Sequence, residues 1–215
     1  TWTKPPKYIS FINCHVRKTY VGSGFTIGDG VQFVELVNTK AVGVASVGYN
    51  IADAQYVKLI EPYVDGGPRG IIIRSNAKYV EIIRPRIVNV TEYDIVDEGG
   101  EDIRIIEPIA TKFDIKSTTK LLLTVSGVAT LSGDGTTTDF LIGSHGLPID
   151  VTDVTKVVVK CTPASPDAIA ASPCVGYLSN EEPDGVYESV RVKFASAPAS
   201  GTDNVKVAWE VEYIG

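Results

Sequence analysis

Two aspartates three residues apart, Asp94 and Asp97, are followed by Glu98 and the glycines Gly99 and Gly100. Carboxyl pairs separated by about 5–9.5 Å are what glycoside hydrolysis requires, one acting as acid and the other as base or nucleophile. The competing reading is a solvated turn. Asp29, Asp53 and Ser75 recur at what looks like the same turn as Asp97, and short polar side chains there bond their own backbone. A second grouping sets Tyr63 and Asp65 beside Arg69 and Arg86. An aromatic ring can stack on a sugar while cations and a carboxylate meet its polar groups. Those four residues are the binding candidates, with no catalytic set emerging. Tyr20, Tyr49 and Tyr93 fall near the same turns, and residues 179–188, with Glu181, Glu182 and Asp184, form an alternative receptor-facing loop.

Other chemistry finds little support. His15 and His145 are isolated; they form no Ser/His/Asp order and cannot by themselves hold a metal. Gly22-Ser23-Gly24 and Gly28-Asp29-Gly30 lack a following helix to cradle phosphate. Cys161 and Cys174 could form a disulfide and leave Cys14 over, or remain two thiols on neighbouring strands. No cofactor is expected.

The elements that position these residues follow from composition and repetition. The 215 residues include 28 valines, 21 isoleucines and 18 threonines against 9 leucines and no methionine. Such stiff β-branched side chains favour pleated sheet and exclude an α-rich protein. No run approaches the roughly 18–20 apolar residues of a membrane helix. The net charge is −6, with 13 basic and 13 acidic residues in 1–112, so the second half carries the whole excess. With no basic stripe evident in the sequence, neither nucleic acid nor an anionic membrane is an expected partner. The opening residues, Thr1-Trp2-Thr3-Lys4-Pro5-Pro6, read as a cut end with further coils expected upstream.

Five segments align: 8–13 (YISFIN), 33–38 (FVELVN), 56–61 (YVKLIE), 79–84 (YVEIIR) and 102–107 (DIRIIE), spaced by 25, 23, 23 and 23 residues. Each alternates apolar and polar places, as a strand with one buried face does. A later small or β-branched residue completes the unit: Val16, Ala41, Val64, Ile87, Ala110. A second motif lies between copies: 24–27 (GFTI), 48–51 (GYNI), 70–73 (GIII) and 92–95 (EYDI). A helix-free repeat of this length predicts a parallel β-solenoid of about five coils over 1–115, with Val57, Val80 and Ile103 stacked along its axis. The third place (Ser10, Glu35, Lys58, Glu81, Arg104) and the sixth (Asn13, Asn38, Glu61, Arg84, Glu107) then become ladders of alternating charge. Beyond residue 115 the period lapses. About seven alternating strands with turn signals and no helical period predict an antiparallel β-sandwich over 116–215.

The coils, as in 78–85 (KYVEIIRP), resemble those of right-handed, pectin-lyase-like parallel β-helix proteins. The segments 133–140 (GDGTTTDF), 144–148 (SHGLP) and 192–205 are similar to the small β-sandwich that ends viral and phage tail-spike or fibre proteins. The resemblance implies a homotrimeric host-attachment protein at the virion surface that meets a host glycan or receptor, its sandwich capping the solenoid and helping to assemble the trimer, or else facing the receptor. A polysaccharide-degrading β-helix enzyme and a cellular surface adhesin are the alternatives. The Ile/Glu/Lys bias of the coils points to a thermostable protein.

Overall fold

The computed structural model describes residues 7–116 and 118–215. The chain forms two compact units, the first running to Leu122 and including Gly215, the second covering Leu123–Ile214.

The first unit is a parallel β-solenoid. Its long sheet contains Ile9–Ile12, Gln32–Val37, Gln55–Ile60, Lys78–Ile83 and Glu101–Ile106. A short sheet contains His15–Arg17, Lys40–Val42, Tyr63–Asp65 and Arg86–Val88, and a third contains Phe25–Ile27, Val47–Ile51, Arg69–Ile73, Tyr93–Asp97 and Phe113–Asp114. There are about four turns rather than the five expected. In the fifth, the short sheet shrinks to a bridge between Arg86 and Ile109, and the third sheet to two residues. Residues 111–120 (TKFDIKSTTK) have lost the apolar alternation that would complete another turn.

The repeat alignment holds in the long and short sheets. Val34, Val57, Val80 and Ile103 pair in register, as do Leu36, Leu59, Ile82 and Ile105, and all eight are buried. Ala41, Val64 and Ile87 stack inside the short sheet. The third-place ladder runs Ser10, Glu35, Lys58, Glu81, Arg104, with Lys58 and Glu81 paired at 3.1 Å. The sixth-place residues all adopt left-handed backbone, φ 48–55°, where the chain bends from the long to the short sheet. Asparagine tolerates that conformation best, and Asn38 also donates its side-chain amide to Asn13 at 2.8 Å. Glu61 and Arg84 continue the ladder as an ion pair at 2.9 Å. Tyr8, Phe33, Tyr56 and Tyr79 stack on one another with ring centroids 4.8–4.9 Å apart.

The third sheet departs from the alignment at its fourth strand. Gly70 is followed one rung on by Asp94, since Tyr93 pairs with Arg69 and Ile95 with Ile71. The motif 92–95 is therefore two places out of step with 70–73. The bend between the short and third sheets varies in length from turn to turn, which a fixed spacing cannot anticipate. Asp97 accordingly stands opposite Ile73, not Ser75.

The second unit is built of antiparallel sheets. One contains Lys120–Gly133, Gly201–Ile214 and Val157–Pro163; the other contains Asp139–Ser144, Ser189–Phe194 and Cys174–Ser179. Six strands replace the seven expected because 121–125 and 128–132 run together as one 14-residue strand. A short helix, Pro166–Ala170, was not expected. Ser165 caps it by accepting from the Ala168 N–H, and Pro166 occupies its first turn, where no intrahelical donor is lost. Val192 and Phe194 from one sheet meet Val205 and Val207 from the other, with Ala168 and Ala171 closing the core.

His145 is buried in this unit, its Nδ1 accepting from the Leu147 N–H at 2.9 Å. Burial lowers its pKa, and the nearby Glu188 and Asp150 only partly oppose the shift. An imidazole held neutral in the fold but free to protonate when unfolded stabilises most above its ordinary value of about 6.5 and loses that contribution on acidification. Urea unfolding between pH 7.5 and pH 5 should thus show a falling midpoint, and His145→Gln should flatten that slope. An unchanged slope in the variant would remove His145 from the account.

Candidate functional site

The outer face of the short sheet carries cations that no carboxylate pairs, beside Tyr63 and Asp65. Its strands are three residues long, so the middle residue points inward and both flanks point out. The first flank reads His15, Lys40, Tyr63, Arg86 on successive turns. Lys40 Nζ lies 5.9 Å and the Arg86 guanidinium 5.8 Å from the Tyr63 ring centroid, within cation–π range. The ring is thus a post between two cations. The third flank contains Arg17 and Asp65, and the Arg17 Nε donates to the His15 ring at 3.3 Å. Asp65 accepts from Asn89 Nδ2 at 2.8 Å and from the Tyr63 hydroxyl at 3.2 Å, so both its oxygens are engaged. Partial burial first, then the Asp65 carboxylate, raises the Tyr63 pKa and keeps it a neutral donor.

Charge pairing singles this face out. Elsewhere in the solenoid Lys58 and Arg104 pair with Glu81, Arg69 with Glu92, Arg74 with Glu98, Lys78 with Glu101 and Arg84 with Glu61. Among the described residues, Arg17, Lys18, Lys40 and Arg86 have no carboxylate within ion-pair distance. Asp65 is the one acidic residue in the four short strands. A basic stripe therefore exists, although the sequence suggested none; it emerges only when residues 23–25 apart are stacked.

Of the four expected binding residues, the structure brings Tyr63, Asp65 and Arg86 together. Arg69 is not with them: it begins a third-sheet strand and is committed to Glu92 at 2.5 Å. Lys40, Arg17 and Asn89 were missed, though Lys40 holds the same repeat place as His15, Tyr63 and Arg86. Tyr49 is not available to a ligand. It is fully buried, stacks on Phe25 and donates its hydroxyl to the Thr39 carbonyl at 2.6 Å. Tyr20 and Tyr93 are exposed. In the second unit, Glu181 is tied to Ser179 at 2.6 Å and to Arg191 at 3.1 Å.

Asp94 and Asp97 are neither a solvated turn nor an open acid pair. Asp94 is 4% and Asp97 1% exposed. Asp94 Oδ2 accepts from the Thr111 N–H at 2.6 Å and the Lys112 N–H at 3.1 Å. Asp97 accepts from the Gly99 and Gly100 N–H groups at 2.9 and 2.8 Å and from the Thr119 hydroxyl at 2.6 Å. Both sit on inward places of the third sheet, Asp94 after Gly24, Gly48 and Gly70, and Asp97 after Ile27, Ile51 and Ile73. They satisfy backbone donors where the repeat gives out, which an unpaired buried N–H would otherwise penalise.

Cys161 and Cys174 are free thiols, as is Cys14. The Cys174 Sγ lies 3.8 Å from the Cys161 carbonyl oxygen. Burial, with Cys174 adding to it, pushes the Cys161 thiol up to about 11, so it stays protonated and unreactive near neutral pH. Denatured, non-reduced protein should titrate three thiols with Ellman's reagent; one thiol would establish a disulfide. Among the described residues, no three His, Cys, Asp or Glu side chains are grouped to hold a metal ion. Among the described residues, no helix is long and apolar enough to cross a membrane. In comparisons with known proteins, no family model matches the chain, and no curated protein matches it.

Proposed function

We propose that this chain is a non-catalytic host-attachment module of a viral structural protein of the tail-spike or fibre kind, binding a surface glycan and acting as a homotrimer at the virion surface. The observation that carries the reading is the short-sheet face, with Lys40, Tyr63 and Arg86 on successive rungs of a solenoid and the Asp65–Asn89 pair beside them. Each turn of a solenoid is braced by the next, so such a face is a rigid, extended surface suited to a linear polymer. The carboxylates nearest to a hydrolytic pair, Asp94 and Asp97, are buried and bonded to backbone N–H groups, which removes them from acid–base work. That favours retention of a glycan over its cleavage.

The test is adhesion. Fluorescently labelled chain should decorate intact cells from a panel of bacteria and lose that binding when surface polysaccharide is stripped enzymatically, while light scattering returns three times the chain mass. A monomer that decorates no cell overturns the reading. Release of reducing ends from the bound glycan would move the assignment to a depolymerase.

A further inference from the structure

We propose that the glycan taken by the short-sheet face is acidic, carrying a carboxylate or sulfate on at least every second sugar; this rests on the attachment reading and names its ligand class. Among the described residues, the cations on the long-sheet and third-sheet strands, with Arg74 and Arg84 in the bends, have carboxylate partners and Lys112 donates to the Val90 carbonyl, whereas Arg17, Lys18, Lys40 and Arg86 have no carboxylate partner in a chain whose net charge is −6. Repulsion among like charges stacked in one sheet is unfavourable. Partners are supplied in the other two sheets and withheld in this one.

Spacing says what would restore balance. Lys40 and Arg86 are two rungs apart, about 10 Å at the spacing of paired strands. An extended pyranose chain advances by close to one rung per sugar. Anionic groups two sugars apart therefore meet Lys40 and Arg86, and one on the sugar next to that at Lys40 meets Arg17 or Lys18 on the adjoining first turn. Because both cations approach the Tyr63 ring, that ring is a positioning residue that holds the two charges at ligand spacing, not a platform for a sugar. Asp65, already saturated by Asn89 and Tyr63, does not neutralise them by direct pairing. Duplex nucleic acid fits poorly, because it presents a phosphate charge about every 1.7 Å of its axis, far more densely than four cations spaced by rungs can meet.

Binding of the full chain to oligogalacturonate, chondroitin sulfate, neutral dextran, poly-glutamate and single-stranded DNA would test this. The acidic glycans should bind, weakening steeply with added salt, and dextran should not. Lys40→Ala with Arg86→Ala should weaken oligogalacturonate binding by at least about tenfold, as loss of charged hydrogen bonds does. Lys58→Ala with Arg104→Ala, the same charge change on the long sheet, should alter it less than twofold. Tyr63→Phe should retain binding and Tyr63→Leu should weaken it, with circular dichroism unchanged in both. Equal binding of dextran, poly-glutamate or DNA, equal loss in the two double variants, or no binding to either acidic glycan overturns the proposal. Cells decorated without acidic-glycan binding would sink this inference and leave attachment standing; acidic-glycan binding without decoration would do the reverse.

Discussion

Gly70→Ala is expected to destabilise the solenoid by about 3 kcal/mol or more, at the upper end of what overpacking a core costs. Gly70 has no left-handed backbone requirement, so the penalty is one of space alone. A Cβ there would be driven into the Asp94 carbonyl oxygen and would stand 2.8 Å from Ile87 Cγ2. The same geometry recurs down the ladder: at Gly48 it would meet Val64 Cγ2 at 2.6 Å, and at Gly24 the Ala41 Cβ at 2.8 Å. The third sheet passes so close to the inward residues of the short sheet that only hydrogen fits. Gly22→Ala is the control, because Gly22 has φ +78° and nothing within 4 Å of a built Cβ. It should cost about 1 kcal/mol, from backbone strain. Urea midpoints of the two variants decide the matter, and equal losses would refute the close-approach argument.

Asp97→Ala should cost about 3 kcal/mol, because the buried Gly100 N–H and Thr119 hydroxyl both lose their acceptor, at roughly 1–3 kcal/mol for each unsatisfied group. Asp97→Asn keeps an acceptor oxygen for the glycine N–H groups and can donate to Thr119, so about 1 kcal/mol is expected. If the site instead served catalysis, the asparagine variant would be as damaging to function as alanine while leaving stability intact. Paired chemical-denaturation and reducing-end-release measurements separate the two roles.

The contrast between these aspartates and the short-sheet residues shows where sequence reading succeeds. The long-sheet rungs were legible because an apolar–polar–apolar alternation recurs at 23 or 25 residues, and because ladders such as Lys58–Glu81 make sense only in that register. The second unit's strands were legible for the same reason, in Val205, Val207 and Val211, which are all buried. Asp97 does bond the backbone of its own turn, at Gly99 and Gly100, but the burial of Asp94 and Asp97 was missed because polar residues beside glycine look like a solvated turn. Nothing local shows that a bend of different length has carried them to inward places.

The order of residues alone thus determined the solenoid, its rung spacing and most of its core, since stacked identical units turn a linear period directly into neighbours in space. Tertiary structure alone decided which charges find partners. Ion pairing depends on what lies one rung away and on which side of the sheet, and those distances are set by bends whose lengths vary. Hence the carboxylates that seemed reactive lie buried against backbone amides, while scattered lysines and arginines converge into one unneutralised face.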